Sequence, residues 1–299
     1  MSHAIVTASD RRCGDFLTKH WGRSLKENVD LRDIDVVVFD YGMTESQRHA
    51  AAGLGFQIRP GRRDGLVANV RIRDFRYWLE TTAYDQILSI DSGDIIFQSD
   101  IRHLFETHKD TFRACCEAVP VQSYGACIDT SDFHPGAFCR VYEHIKHRPL
   151  INSGVFLGSQ EKVLSVFREF CDLTKSLDSS AIDQLVVNYR CYKDGFMQLD
   201  ETDNFVLLTA KSRYSVHKGQ FFDGEDRLIH IVHNAGVRFR MIKDFGYGPA
   251  FNRQKNHVVA AGTAIWFALP LGIRVRLAEL RRRNMARKPA RKATATVAS

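Results

Sequence analysis

The seven cysteines (Cys13, Cys115, Cys116, Cys127, Cys139, Cys171, Cys191) contain no C-x-x-C pair and no His-rich spacing, which excludes the usual zinc frameworks. Their odd number also argues against a disulfide scaffold. An apolar signal core is missing too, because MSHAIVTASDRR turns polar by Ser9. Together these absences point to a reducing cytoplasm with free thiols, most of them buried as small hydrophobes. The uncharged segment Val258–Ile273 stops at sixteen residues and contains Gly262 and Pro270, short of the roughly 20 residues that span a bilayer. No internal repeat and no low-complexity linker precede the C-terminal tail. Excess basic charge is absent from the body. The chain carries +7, but Arg274–Lys292 holds nine Lys/Arg residues against Glu279, so +8 sits there and the remainder is near −1. A body that binds nucleic acid is therefore excluded.

What is present suits a folded protein. Hydrophobic residues at 44% and charged residues at 26% argue against disorder, and 299 residues can bury the core of one large domain or two ordinary ones. Short apolar runs alternate with helical patterns. HAIVTA (His3–Ala8), IDVVVF (Ile34–Phe39) and QILSI (Gln86–Ile90) read as strands, and Phe56–Arg59 as a shorter one closed by Pro60-Gly61. Thr44–Leu54, ended by Gly55, and Asn69–Thr82 read as helices, the latter with Val70, Phe75, Trp78 and Leu79 at helical spacing. Further along, Phe112–Val119, Gly154–Leu157, Asn204–Leu208 and Leu228–Val232 read as strands, and Glu161–Lys175 and Ala181–Tyr189 as helices. This alternation predicts an α/β fold: a mostly parallel sheet with helices on both faces. The character changes after about Gly248, so residues 1–250 read as one domain and 251–299 as a helical, basic appendage.

In such a sheet ligands bind beyond the carboxyl ends of strands. There lies ILSIDSGDIIFQSD, residues 87–100, in which Asp91 and Asp94 follow one apolar strand and precede another apolar stretch. The D-x-x-D interval alone means little, since Asp30/Asp33, Asp129/Asp132, Asp200/Asp203 and Asp223/Asp226 repeat it. Only Asp91/Asp94 sits tightly between apolar runs, on a Ser92-Gly93 turn able to aim both carboxylates at one point. Hard oxygen ligands of this kind suit Mg²⁺ or Mn²⁺, which in turn clamps a diphosphate. A solvated surface turn is the alternative.

Three further segments decide the reading. INSGVFLGS (Ile151–Ser159), AIDQLVVNY (Ala181–Tyr189) and IHIVHNAG (Ile229–Gly236) follow the acidic loop in order. With it they resemble the GT-A nucleotide-diphospho-sugar transferases over roughly residues 3–240. The family's usual metal motif is D-x-D; here one residue is inserted, as in a D-x-x-D branch. The resemblance implies a Rossmann-like GT-A domain that transfers a sugar, a UDP-sugar being the expected donor, to a saccharide, lipid-linked or protein acceptor. It implies Mn²⁺ (or Mg²⁺) held by Asp94, with Asp91 bridging ribose and metal, and His233 as a neutral imidazole ligand. His230 and His233 are three apart, so an extended strand turns them to opposite sides. Thr7, Ala8 and Asp40, ending the first two strands, fall where the family holds base and ribose, though Asp40 also suits a simple cap. Asn152 would line the acceptor side. Asp183, with Gln184 beside it, is either a helix cap or a group near the donor sugar. Arg73 and Arg76 belong to a helix face that is ordinarily solvated, and Arg73 is the better candidate for reaching the diphosphate.

Two rival readings exist. VVVFDYGMT (Val36–Thr44) is similar to the loop of haloacid-dehalogenase-type phosphatases, but Gly42 stands where their second aspartate belongs. The tail suggests a non-enzymatic membrane-docking protein. Trp266, Phe267 and the arginines that follow suit an interfacial anchor on anionic lipid at the inner membrane face, and a terminal helix packed on the domain is the alternative.

Overall fold

The computed structural model describes residues 2–122, 130–179, 181–236 and 240–270, together with 272–274, 276, 277 and 280. Most of the arginine-rich segment and Cys127 lie outside the described residues.

The chain runs β1 (His3–Ser9), α1 (Gly14–Phe16), a π-helical turn (Leu17–Trp21), α2 (Gly22–Asn28), β2 (Ile34–Asp40), α3 (Glu45–Gly53), β3 (Gln57–Pro60), α4 (Val67–Leu79) and β4 (Gln86–Ile90). Then come β5 (Ile95–Phe97), α5 (His103–Glu106), β6 (Arg113–Pro120), α6 (Ala137–Ile145), β7 (Pro149–Ser159), α7 (Gln160–Leu173) and α8 (Ile182–Asp194). Last are β8 (Met197–Gln198), β9 (Phe205–Val206), β10 (Ser215–His217), β11 (Gln220–Phe222), β12 (Ile231–His233) and α9 (His257–Ala268). Local chemistry sets several boundaries. Thr44 and Gln47 close a capping box at the start of α3, and Gly55 follows with φ +84°, a conformation glycine adopts without steric cost.

The main sheet has the order β3-β2-β1-β4-β7-β6-β8. β1–β2, β1–β4, β2–β3 and β6–β8 are parallel, and β7 runs antiparallel to β4 and β6. Strand parity splits the core. Ala4, Val6, Val37, Phe39 and Ile87 face α4, α6, α7 and α8, whereas Ile5, Val36, Val38, Leu88 and Ile90 face the helical run from Leu17 to Leu25 and α3. Helices therefore cover both faces, as the alternating pattern implied.

Two features of this topology build the site. From β1 the chain moves outward to β2 and β3, then returns past β1 to β4, so the order reverses between β1 and β4. In open α/β sheets ligands bind outside the carboxyl ends of the strands at such a switch point. A second sheet, β5-β12-β9, then pairs His233 with Ile95, beside the end of the acidic loop. The Asn234 N–H continues the ladder to the Asp94 carbonyl at 2.8 Å.

The structure departs from the sequence reading in places. β7 is eleven residues, not four, because the polar Asn152 and Ser153 are buried within it. α6 and the β10–β11 hairpin were not anticipated. α9 carries no Asp, Glu, Lys or Arg and none of its residues is buried. Among the described residues no helix is long and apolar enough to cross a membrane. Of the described cysteines, all free, Cys115, Cys116 and Cys191 are buried, Cys13 and Cys171 half-buried and Cys139 exposed.

Candidate functional site

Asp91, Asp94 and His233 converge so that one ligand atom from each lies within 4.8 Å of the others. The acidic loop is fixed from three directions. The Asp91 N–H donates to Gly154 at 2.8 Å, the Ser92 hydroxyl to the Ala8 carbonyl at 2.7 Å, and Arg240 Nη2 to the Gly93 carbonyl at 2.8 Å. Among the described residues no carboxylate is paired with Arg240. Gly154 leaves the space the cluster needs. A Cβ there would lie 2.5 Å from His233 Cε1 and 2.9 Å from Asp91 Oδ2.

The histidine is oriented through a buried chain of polar groups. His233 Nδ1 lies 3.2 Å from Asn204 Oδ1. Asn204 Nδ2 donates to Asn152 Oδ1 at 3.1 Å, and Asn152 Nδ2 donates to Glu117 at 2.8 Å. This network assigns a His233 proton to Nδ1, and Nε2, 3.5 Å from Asp94 Oδ1, donates to that carboxylate when protonated and offers a ligand lone pair when it is not. Desolvation lowers the His233 pKa most strongly, but the hydrogen bond and charge of Asp94, with the charges of Asp91 and Glu117, outweigh it and raise the value. Burial raises Glu117 above the usual carboxylate range, against the hydrogen bonds from Thr209 and Asn152.

A second layer adds charge. Arg71 Nη1 bonds Asp91, and its Nη2 lies 3.5 Å from Asp183 Oδ2. Burial works against the Arg71 charge, yet the two carboxylates more than offset it and hold the guanidinium protonated. Burial also raises the Asp183 pKa, with Arg71 opposing and Asp91 adding to it. Ser153 Oγ lies 3.5 Å from Asp183 and 3.3 Å from Gln184 Oε1. Asp183 is not the helix cap. That position is held by Ala181 in the left-handed region, without a side-chain hydrogen bond.

The structure thus brings together Asp91, Asp94, His233, Asn152, Asp183 and Gln184. Thr7 and Ala8 lie near the end of the neighbouring strand β1, and among the described residues the buried Thr7 hydroxyl has no hydrogen-bond partner. Asp40 stands at the end of β2, but one oxygen accepts from the N–H groups of Gly42 and Met43 and the other pairs with Arg48 at 3.2 Å. Arg73 points elsewhere. It is tied to Asp64 at 2.6 Å and Asp74 at 2.8 Å, so it is not free for a diphosphate, and Arg71 is the arginine at the carboxylates. His230 faces away from the cluster, against Asp203 at 2.8 Å. Sequence reasoning overlooked Arg71 although a signal existed. It lies four residues before Phe75 and seven before Trp78, on the apolar face of α4, where a charge requires a partner. Asn204, Glu117 and Arg240 gave no such signal.

The donor set fits a divalent cation. Asp91 and Asp183 face the Arg71 guanidinium, and Asp94 and an imidazole nitrogen of His233 complete the cluster beside Asp91. Oxygen ligands with one imidazole suit Mn²⁺ more than Mg²⁺.

By sequence the chain matches no family model and no curated protein. By structure it resembles an active-site mutant of LgtC at TM-score 0.51 and 17% identity, over 89% of this chain and 97% of that one. It resembles the galactosyltransferase LgtC in complex with donor and acceptor sugar analogs at 0.50 and 16%, with the same coverage. The bifunctional glycosyltransferase WbbM gives 0.51 at 13% identity, over 79% of this chain and 46% of that one. At these identities the likeness establishes architecture, and the architecture is the GT-A fold of glycosyltransferases.

Proposed function

We propose that this chain is a metal-assisted glycosyltransferase that takes a sugar from a nucleotide-diphospho-sugar, a UDP-sugar first among them, and passes it to a saccharide, lipid-linked or protein acceptor. One observation carries the reading: Asp91, Asp94 and His233 converge at the β1/β4 switch point, with Asp183 joined to them through Arg71. Residues 1–250 form the catalytic domain in this account. During transfer the acceptor hydroxyl oxygen bonds to the anomeric carbon, the bond from that carbon to the diphosphate oxygen breaks, and the nucleoside diphosphate leaves with the electron pair. A bound Mn²⁺ or Mg²⁺ would offset the charge that develops on this leaving group. Asp91, Asp94 and His233 would hold the ion. Arg240, at the loop carbonyl and without a carboxylate partner among the described residues, is the cation best placed to meet the diphosphate. Thr7, Ala8 and Asp40 flank the nucleotide side, and Asn152 and Gln184 the sugar side. Asp183 either takes the acceptor proton or sits beneath the anomeric carbon. Burial raises its pKa, which makes it a stronger base than an ordinary carboxylate.

Calorimetry with UDP tests the metal assignment. Wild type should bind UDP in the presence of Mn²⁺, Asp94→Ala should not, and His233→Ala should lose more affinity than His230→Ala. Unchanged Mn²⁺-dependent affinity in Asp94→Ala contradicts the reading.

The tail supports a peripheral placement on the inner face of the membrane. α9 is uncharged, Val258 is 82% exposed and Ile265 is 64% exposed, and the sequence after it carries +8. An apolar helix followed by arginines matches an anionic lipid surface, at about 1 kcal/mol per basic residue close to it. Removing residues 257–299 should abolish sedimentation with anionic vesicles while donor hydrolysis persists. Full-length protein that ignores such vesicles at low salt sinks this placement.

A further inference from the structure

A second cluster lies outside the site described above. His103 opens α5, Asp203 ends the 3-10 turn Glu201–Asp203, and His230 lies just before β12, so three separate segments meet. His103 Nε2 is 3.0 Å and His230 Nδ1 is 2.8 Å from the same oxygen, Asp203 Oδ1, and one ligand atom from each residue lies within 4.8 Å of the others. We propose that His103, Asp203 and His230 form a second, structural metal site that takes a zinc-class divalent ion.

The argument begins with ligand type. Two imidazole nitrogens and one carboxylate oxygen are a zinc donor set, whereas Mg²⁺ and Ca²⁺ require more oxygen. Geometry follows. With metal–ligand bonds of about 2.0–2.2 Å, tetrahedral ligands stand about 3.4 Å apart, so each nitrogen here must open from the Asp203 oxygen by about half an ångström. Each ring can carry its N–H on the other nitrogen and present to the ion a lone pair on the nitrogen that now faces Asp203. Access is suitable as well. The Asp203 side chain is 6% exposed while those of His103 and His230 are 44% and 34% exposed, giving a buried anchor, an entry path and room for water as fourth ligand. The negative charges of Asp100 and Glu106 also act on His103, which makes the potential there favourable to a cation.

The placement suggests what the ion does. Asp203 directly precedes Asn204, the group that orients His233, and His230 lies three residues before His233 on the same segment. An ion here pins α5 to both segments and steadies the scaffold of the first cluster without touching it.

The test is zinc titration of chelator-stripped, full-length protein, by calorimetry and thermal melting. Wild type should bind one equivalent of Zn²⁺ that His103→Gln and His230→Gln both lose. A hundredfold excess over Kd should raise the wild-type melting temperature by about 5 °C or more, and this rise should vanish in both variants. Asp94→Asn should keep that equivalent and that rise, which separates this site from the first whatever the fate of the glycosyltransferase reading. His103 is exposed, so its replacement should leave the metal-free fold intact, as circular dichroism would show. Equal zinc stoichiometry in wild type and His103→Gln, or loss of the equivalent in Asp94→Asn, overturns the proposal.

Discussion

Replacing Gly154 by alanine probes the site through sterics alone. The residue is in extended β7 and has no positive φ, so alanine costs nothing in backbone conformation. Its Cβ, however, would lie 2.5 Å from His233 Cε1, 2.9 Å from Asp91 Oδ2 and 3.0 Å from Asn152 Oδ1, where ordinary contact begins at 3.4 Å. The imidazole must therefore retreat by nearly an ångström, and the Asn204–Asn152 chain that orients it resists. Overpacking of this kind costs about 1–3 kcal/mol, which lowers the melting temperature by several degrees in a domain of this size. The effect on metal should be larger in proportion, because ligand geometry is held to about 0.2 Å and disturbing even the outer shell costs about 10–100-fold in affinity. Gly53→Ala is the control. Nothing lies within 4 Å of that position at the end of α3, and the substitution should be neutral or stabilising by up to about 1 kcal/mol. Calorimetry of Mn²⁺ with UDP reads the result. Wild-type affinity in a folded Gly154→Ala protein would refute the placement of Asp91 and His233 around one ion.

Two further outcomes are expected. Arg71→Ala leaves Asp91 and the buried Asp183 facing each other unpaired and should cost about 3 kcal/mol or more, whereas Arg73→Ala, whose guanidinium meets Asp64 and Asp74, should cost less and spare nucleotide binding. Equal losses in thermal melts and UDP titrations would contradict the distinction. Glu117→Gln should raise stability at alkaline pH, since burial holds the folded carboxyl above its ordinary 4.5 and ionising it destabilises the fold. The Thr209 hydroxyl can turn to accept from the new amide. Between 4.5 and the raised value the folded state binds more protons, so wild-type stability falls as pH rises through that window. The advantage of Glu117→Gln should thus shrink as pH falls toward 4.5, and a melting-temperature difference that ignores pH would count against it.

How much was legible in the sequence varied with the range of the interactions. The runs at Ile34–Phe39 and Gln86–Ile90 announced central strands because both faces of the sheet are covered, and Gly55 marked the end of the helix read over Thr44–Leu54. β7 was read only in part because its Asn152 and Ser153 look like loop residues. They tolerate burial through Glu117, Asn204, Asp183 and Gln184, partners distant in sequence. The β10–β11 hairpin turns on Lys218-Gly219, both with positive φ, and lysine is a poor signal for such a turn. The acidic loop stood out from four chance copies of its spacing by its apolar flanks. The arginine beside it did not, since the choice between Arg71 and Arg73 depends on which face of α4 meets the carboxylates.

The central claim, that Asp91, Asp94 and His233 hold the ion used to cleave a nucleotide sugar, is tested most directly by donor hydrolysis, which needs no acceptor. Purified protein is incubated with UDP- and GDP-sugars, with and without Mn²⁺, and release of nucleoside diphosphate is followed in wild type and Asp94→Ala. The account predicts slow release from at least one donor, dependent on Mn²⁺ and abolished by Asp94→Ala while the melting transition survives. Release that proceeds equally in Asp94→Ala, or no release from any donor with Mn²⁺ present, would contradict it.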